Sequence, residues 1–214
     1  MEEKYLNDIS EIKNMMSKSS QFISLSGLAG ILAGIYAIIG AFFANNLIAK
    51  YMQINYCKPL SQEDNSPFSV EENLIFNLFV IAVFVLILSI LTAMILTYLK
   101  AKKQNEKIWN TTSKRMLVNF LIPLLTGGIF GLILLKNYYY DLIAPITLIF
   151  YGLSCVNASK YTLRDIRYLG ITIIIIGLFS TNFNGYELEF WALGFGVCHI
   201  LYGSIMYFKY DFKK

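Results

Sequence analysis

The chain has 214 residues, 56% of them hydrophobic, and a formal net charge of +4. That composition points to one compact membrane domain, and no polar stretch reaches the roughly 50 residues that a second core would need. The basic excess lies beside apolar segments, where membrane orientation accounts for it, so nucleic acid is not expected as a partner.

Six apolar stretches contain no Asp, Glu, Lys or Arg: 22–44, 74–99, 116–135, 142–159, 168–184 and 190–208. A helix needs about 20 residues to cross the hydrocarbon core, and each stretch is close to that length. The predicted fold is therefore all-α, a polytopic membrane protein of six transmembrane helices arranged as three hairpins. An amphipathic N-terminal helix over 1–21 precedes this 22–208 domain, and a short tail over 209–214 follows it.

The first 21 residues mix Glu2, Glu3, Asp8 and Glu11 with Lys4, Lys13 and Lys18, which does not fit a cleavable signal. Leu6, Ile9, Ile12, Met15 and Met16 recur at helical spacing, so this segment is expected to lie on the membrane surface or against a partner. Predicted helix 1 is rich in small residues. Gly30 and Gly34 are spaced one helical turn apart, and Ala29, Ala33, Ala37 and Ala41 continue the spacing on an adjoining stripe. Small residues let helix backbones approach closely in lipid. The stripe serves either packing within the bundle or docking of a second copy or another membrane protein.

The connection 45–73 holds Pro59 and Pro67, an unpaired Cys57, and a Ser69–Glu72 capping box that marks the start of helix 2. The basic link 100–115, with Trp109 as an interface anchor, is suited to anionic lipid or a cytoplasmic partner. In helix 3, Pro123 with Gly127, Gly128 and Gly131 predicts a kink or a loosened turn. Asn119 lies near the start of that helix.

Helix 4 follows Tyr138, Tyr139, Tyr140 and Asp141, a cluster that reads as an aromatic belt or as the polar rim of a ligand pocket. Asn157 lies further inside helix 4. The candidate ligand-binding residues are therefore Asp141, Tyr139, Tyr140, Asn157, Asn119 and His199. The candidate docking residues are Ala29, Gly30, Ala33, Gly34 and Ala37.

His199 in helix 6 is the one histidine of the chain. An ionisable group at membrane depth is costly and points to function by default. A metal, haem, proton-relay or hydrolytic role each wants a further ligand, carboxylate or nucleophile that the apolar segments do not supply at the right spacing. A neutral histidine held by a carbonyl or a tyrosine is the expected state. No Walker A loop, HExxH, GxSxG or CxxC occurs, so neither a catalytic centre nor a metal or cofactor is expected.

Orientation follows from charge. The N-terminus, the second and fourth connections and the C-terminus together carry 15 of the 18 Lys and Arg residues, leaving Lys50, Lys58 and Lys136 on the other side. Positive residues are retained in the cytoplasm, so both termini are expected there, in a multi-pass inner (plasma) membrane protein.

Two functions fit these features. One is a small-ligand-binding or transport-related membrane module. The other is a non-catalytic interaction or sensory protein acting through its N-terminal helix and helix 1. The layout resembles the substrate-binding components of energy-coupling-factor transporters, with their six helices and an Ala-xxx-Ala face on helix 1. The resemblance implies a scaffold subunit docking at Ala29, Ala33, Ala37 and Ala41, and it rests on layout and that common motif. Expected partners are membrane lipid, a second copy or membrane protein at helix 1, and a small-molecule ligand.

Overall fold

A computed structural model describes residues 26–56, 67–104 and 109–212, and these are helical with no strand among them. The expected helix over 1–21, Cys57 and Pro59 lie outside the described residues. Six helices follow in order: α1 Gly27–Tyr56, α2 Pro67–Lys103, α3 Thr111–Lys136, α4 Ile143–Ala158, α5 Asp165–Ser180 and α6 Glu187–Asp211. Helices α1, α2, α3 and α6, and α4 with its flanking 3₁₀ turns (Tyr140–Tyr161), are long and apolar enough to cross a membrane. The chain is a helical membrane protein.

The helices differ from the apolar runs chiefly at their ends. α1 continues beyond position 44, because Asn45, Asn46 and Lys50 end the apolar run without ending the helix. α2 opens at Pro67, where the missing N–H costs no helical bond, and closes on Lys100, Lys102 and Lys103, which suit the negative end of the helix dipole. The side chains of Ser69 and Glu72 lie outside the described residues. α3 starts five residues earlier than its apolar run because Asn110 caps it. The Ser113 N–H donates to Asn110 Oδ1 at 2.7 Å, and the Asn110 N–H donates to Ser113 Oγ at 3.0 Å.

α5 is shorter than its run. Thr181 donates its hydroxyl to the Leu178 carbonyl at 2.7 Å, and the helix stops at Ser180. Uncharged polar residues do not interrupt an apolar count, yet they compete for backbone carbonyls at helix ends. Sixteen residues reach about 24 Å, against about 30 Å of hydrocarbon.

α3 runs as an unbroken α-helix through Pro123. The loosened helix is instead α6, which widens to π-helix over Ala192–Cys198 and again over Tyr207–Asp211. Gly194 and Gly196 lie in the first of these segments, where glycine both weakens the regular helix and lets the neighbouring helix close in.

Packing runs from α2 to α1, from α1 to α6, from α6 to α5 and α4, and from α4 to α3. The α1–α6 contact is made of glycines. A Cβ at Gly34 would lie 2.6 Å from the Gly196 carbonyl oxygen, and one at Gly30 would lie 3.2 Å from the Gly203 Cα. The same device joins α4 to α5, where a Cβ on either Gly152 or Gly170 would sit 2.6 Å from the other's carbonyl oxygen. Without a hydrophobic drive between helices in lipid, such close backbone approach supplies the attraction. The buried centre, Leu148, Leu169, Ile173 and Cys198, lies where α4, α5 and α6 meet.

The last turn of α6 is clamped on two sides. Lys209 pairs with Asp165 at 3.0 Å, and the Tyr210 hydroxyl donates to the same carboxylate at 2.7 Å. Asp211 turns the other way, pairing with Lys100 of α2 at 2.6 Å and accepting from the first N–H of α1.

Candidate functional site

α4 and α6 bring Tyr151 and His199 together about halfway along each helix. The Tyr151 hydroxyl lies 2.7 Å from His199 Nε2, and His199 Nδ1 lies 3.1 Å from the Gly194 carbonyl oxygen. A carbonyl only accepts. In the uncharged ring Nδ1 therefore carries the hydrogen, and Nε2 accepts the Tyr151 proton. Gly194 belongs to the π segment, so the widened turn of α6 also supplies the group that fixes the imidazole tautomer.

Aromatic rings surround the pair. Trp191, Phe195 and His199 are spaced by four on α6, with ring centroids 5.0 Å apart for Trp191–Phe195 and 6.0 Å for Phe195–His199. Tyr151 lies 5.0 Å from Phe195 and 6.0 Å from Phe120 of α3. These spacings are those of attractive aromatic pairs. His199 is buried, whereas Tyr151, Phe195, Trp191 and Phe120 are half-buried. One side of the cluster is therefore open to the surroundings of the bundle.

The hydroxyls that would serve as nucleophiles beside His199 have other partners. Ser154 donates to the Phe150 carbonyl at 2.8 Å and Ser204 to the Ile200 carbonyl at 2.7 Å, each on its own helix. Among the described residues no group of three or more His, Cys, Asp or Glu is placed to hold a metal ion.

The sequence-predicted ligand residues fall at three levels. Tyr139 and Asp141 are exposed and Tyr140 half-buried in the turn between α3 and α4, where Tyr138 adopts a left-handed φ of 64°. His199 lies near the middle. Asn157 donates to the Asn119 carbonyl at 2.9 Å near the opposite end, while the Asn119 side chain donates to the Arg115 carbonyl at 2.8 Å. From Asp141 to Asn157 the rise is about 24 Å. The structure joins Asn119 to Asn157 and brings neither to His199 or Asp141.

In the small-residue stripe, Ala29, Gly34, Ala37 and Ala41 are buried within the fold, and Gly30 and Ala33 are half-buried. Tyr151 is the partner of His199 that sequence reasoning missed. It lies 48 positions from His199, and no local pattern links the two. The Trp191–Phe195–His199 spacing was a readable signal.

No family model matches the chain, and no curated protein or solved structure is significantly similar to it.

Proposed function

We propose that this chain is a six-span inner-membrane protein, with both termini cytoplasmic, that binds a small ligand within its helical bundle as part of uptake or export. The observation that carries the reading is the Tyr151–His199 pair beside the π segment of α6. Widened or broken helices at membrane depth are tolerated where the freed groups are used, and such sites recur in transporters. A polar pair placed there is costly in lipid and has no packing need that a leucine would not meet. The 15-to-3 division of basic residues supports cytoplasmic termini, and α5 then serves as the fifth of the six spans. Docking of a second copy or a membrane partner on α1 would use the half-buried Ala33, because Gly30 packs against Gly203 of α6.

Native mass spectrometry of the protein released from nanodiscs tests this. The expected result is a stoichiometric small-molecule adduct that is lost in His199→Ala. A chain carrying only bulk lipid would overturn the reading.

A further inference from the structure

We infer that the chain carries a site for a cationic amphiphile, an alkyl quaternary ammonium by chemistry, where the α5–α6 turn meets the first turns of α6. The site shares no lining residue with the Tyr151–His199 pair and does not rest on the reading built on that pair. Phe183, Tyr186, Glu189, Phe190 and Leu193 line an open-sided pocket of about 450 Å³, within the size range of small-molecule sites. The turn builds it. α5 stops at Ser180, Gly185 redirects the chain with a left-handed φ of 90°, and the Phe183 ring lies 5.7 Å from that of Phe190. Apart from Leu193 and one carboxylate, the lining is aromatic.

Charge selects the ligand. Glu187 Oε1 accepts the Gly185 N–H at 2.7 Å, so this carboxylate closes the turn and also answers the roughly half positive charge at the start of α6. Glu189 is exposed and, among the described residues, makes no hydrogen bond or ion pair. Lys50 and Lys136 are the described bases at this end of the bundle, and neither pairs with it. Aromatic faces beside an unbalanced carboxylate attract a cation, and quaternary ammonium groups are well matched to them. A metal ion needs more oxygen ligands than one carboxylate supplies. A phospholipid headgroup would leave its phosphate unmatched, because residues 181–193 contain no Lys or Arg. An interfacial aromatic belt accounts for Phe183 and Tyr186, but not for a carboxylate set among them. Leu193, one turn beyond Glu189 and 41% exposed, extends the pocket along α6 towards the hydrocarbon, where an alkyl tail is buried.

Three probes with one tail separate these features: dodecyltrimethylammonium, dodecylphosphocholine and dodecanol. Each is titrated against the protein in phosphatidylcholine nanodiscs, with bound fraction read by native mass spectrometry. The expected result is saturable one-to-one binding of dodecyltrimethylammonium, with the other two weaker by about tenfold for want of a net positive charge. Glu189→Gln, at an exposed position, should remove that advantage and leave dodecanol unchanged. Tyr186→Leu should weaken the cation by about two- to fivefold through loss of one ring face. Equal binding of dodecanol, or an advantage that survives Glu189→Gln, overturns the inference. Equal binding of dodecylphosphocholine overturns the cationic amphiphile in favour of a phospholipid headgroup. His199→Ala should leave binding of dodecyltrimethylammonium intact, so failure of the Tyr151–His199 reading and failure of this site are seen separately. Loss of the cation in His199→Ala but not in Glu189→Gln would place it inside the bundle and overturn the site.

Discussion

Asp211 caps α1 from the far end of the chain: its Oδ2 accepts the backbone N–H of Gly27 at 2.9 Å, across 184 positions. The carboxylate lies at the positive end of the α1 dipole, and its other oxygen is 2.6 Å from Lys100 Nζ. One residue thus ties the start of α1, the end of α2 and the end of α6. The side chains of Asp211 and Lys100 are each only 12% exposed.

Removing the two charges has unequal effects. Asp211→Asn removes the carboxylate paired with the shielded Lys100 ammonium and weakens the cap, and the expected loss is about 2–3 kcal/mol. Lys100→Met leaves the carboxylate with the α1 N–H and helix dipole, so the loss is smaller, about 1 kcal/mol. Reversible unfolding in sodium dodecyl sulfate measures both. Equal losses would show that the ion pair, not the cap, dominates.

The second clamp inverts the usual ranking of charge over hydroxyl. Lys209 is about half exposed, and exposed ion pairs contribute at most about 1 kcal/mol, often nothing. Tyr210 donates to the same carboxylate at 2.7 Å from a half-buried position. Tyr210→Phe is expected to cost about 1 kcal/mol and Lys209→Ala less than half of that. High salt should leave the Tyr210 effect in place.

These clamps explain which parts of the fold were legible. The bilayer demands long uncharged runs, so the helices were readable from composition alone, and the basic residues gave their orientation as an expectation. Helix ends were less legible, because Asn110, Pro67 and Thr181 act through backbone groups that an apolar count ignores. Asp211 lay hidden among tail residues whose reading was dominated by lysines. Gly30 and Gly34 were visible as a stripe, but their partners Gly196 and Gly203 become evident only once α6 is known to lie against α1. His199 stood out by being alone of its kind. Tyr151 did not, among 15 tyrosines.

The small-residue stripe separates packing from docking at neighbouring positions. Gly34 faces the α6 backbone, so Gly34→Leu should open the α1–α6 contact and cost about 3 kcal/mol or more, by overpacking against an immovable carbonyl. Ala33 is half-buried, and Ala33→Leu should leave stability within about 1 kcal/mol. Ala33→Leu is therefore the informative probe of association through α1, read by cross-linking in native membranes. Comparable destabilisation by both substitutions would place Ala33 in the α1–α6 contact too.

Orientation is tested at two exposed positions. In a cysteine-free background, Asp141→Cys at the α3–α4 turn and Lys102→Cys at the end of α2 present thiols at opposite ends of the bundle. A membrane-impermeant maleimide added to intact cells should label the first and spare the second, and lysis should reverse the protection of the second. Labelling of Lys102→Cys alone in intact cells would invert the topology.

Energetic coupling between Tyr151 and His199 has a defined sign. Tyr151→Phe removes the donor from His199 Nε2 and leaves a buried lone pair unmet, at a cost of about 1–3 kcal/mol. His199→Phe removes the acceptor of the tyrosine hydroxyl, which keeps its hydrogen-bond partner Cys155, so its cost is lower. Once either partner is gone, removing the other forfeits nothing further at that bond. The double variant should therefore be less destabilised than the sum of the two single variants, by about 1 kcal/mol or more. Simple additivity would mean that the 2.7 Å contact contributes nothing to stability. The pair would then be held in place by the aromatic packing of Phe195 and Phe120 alone.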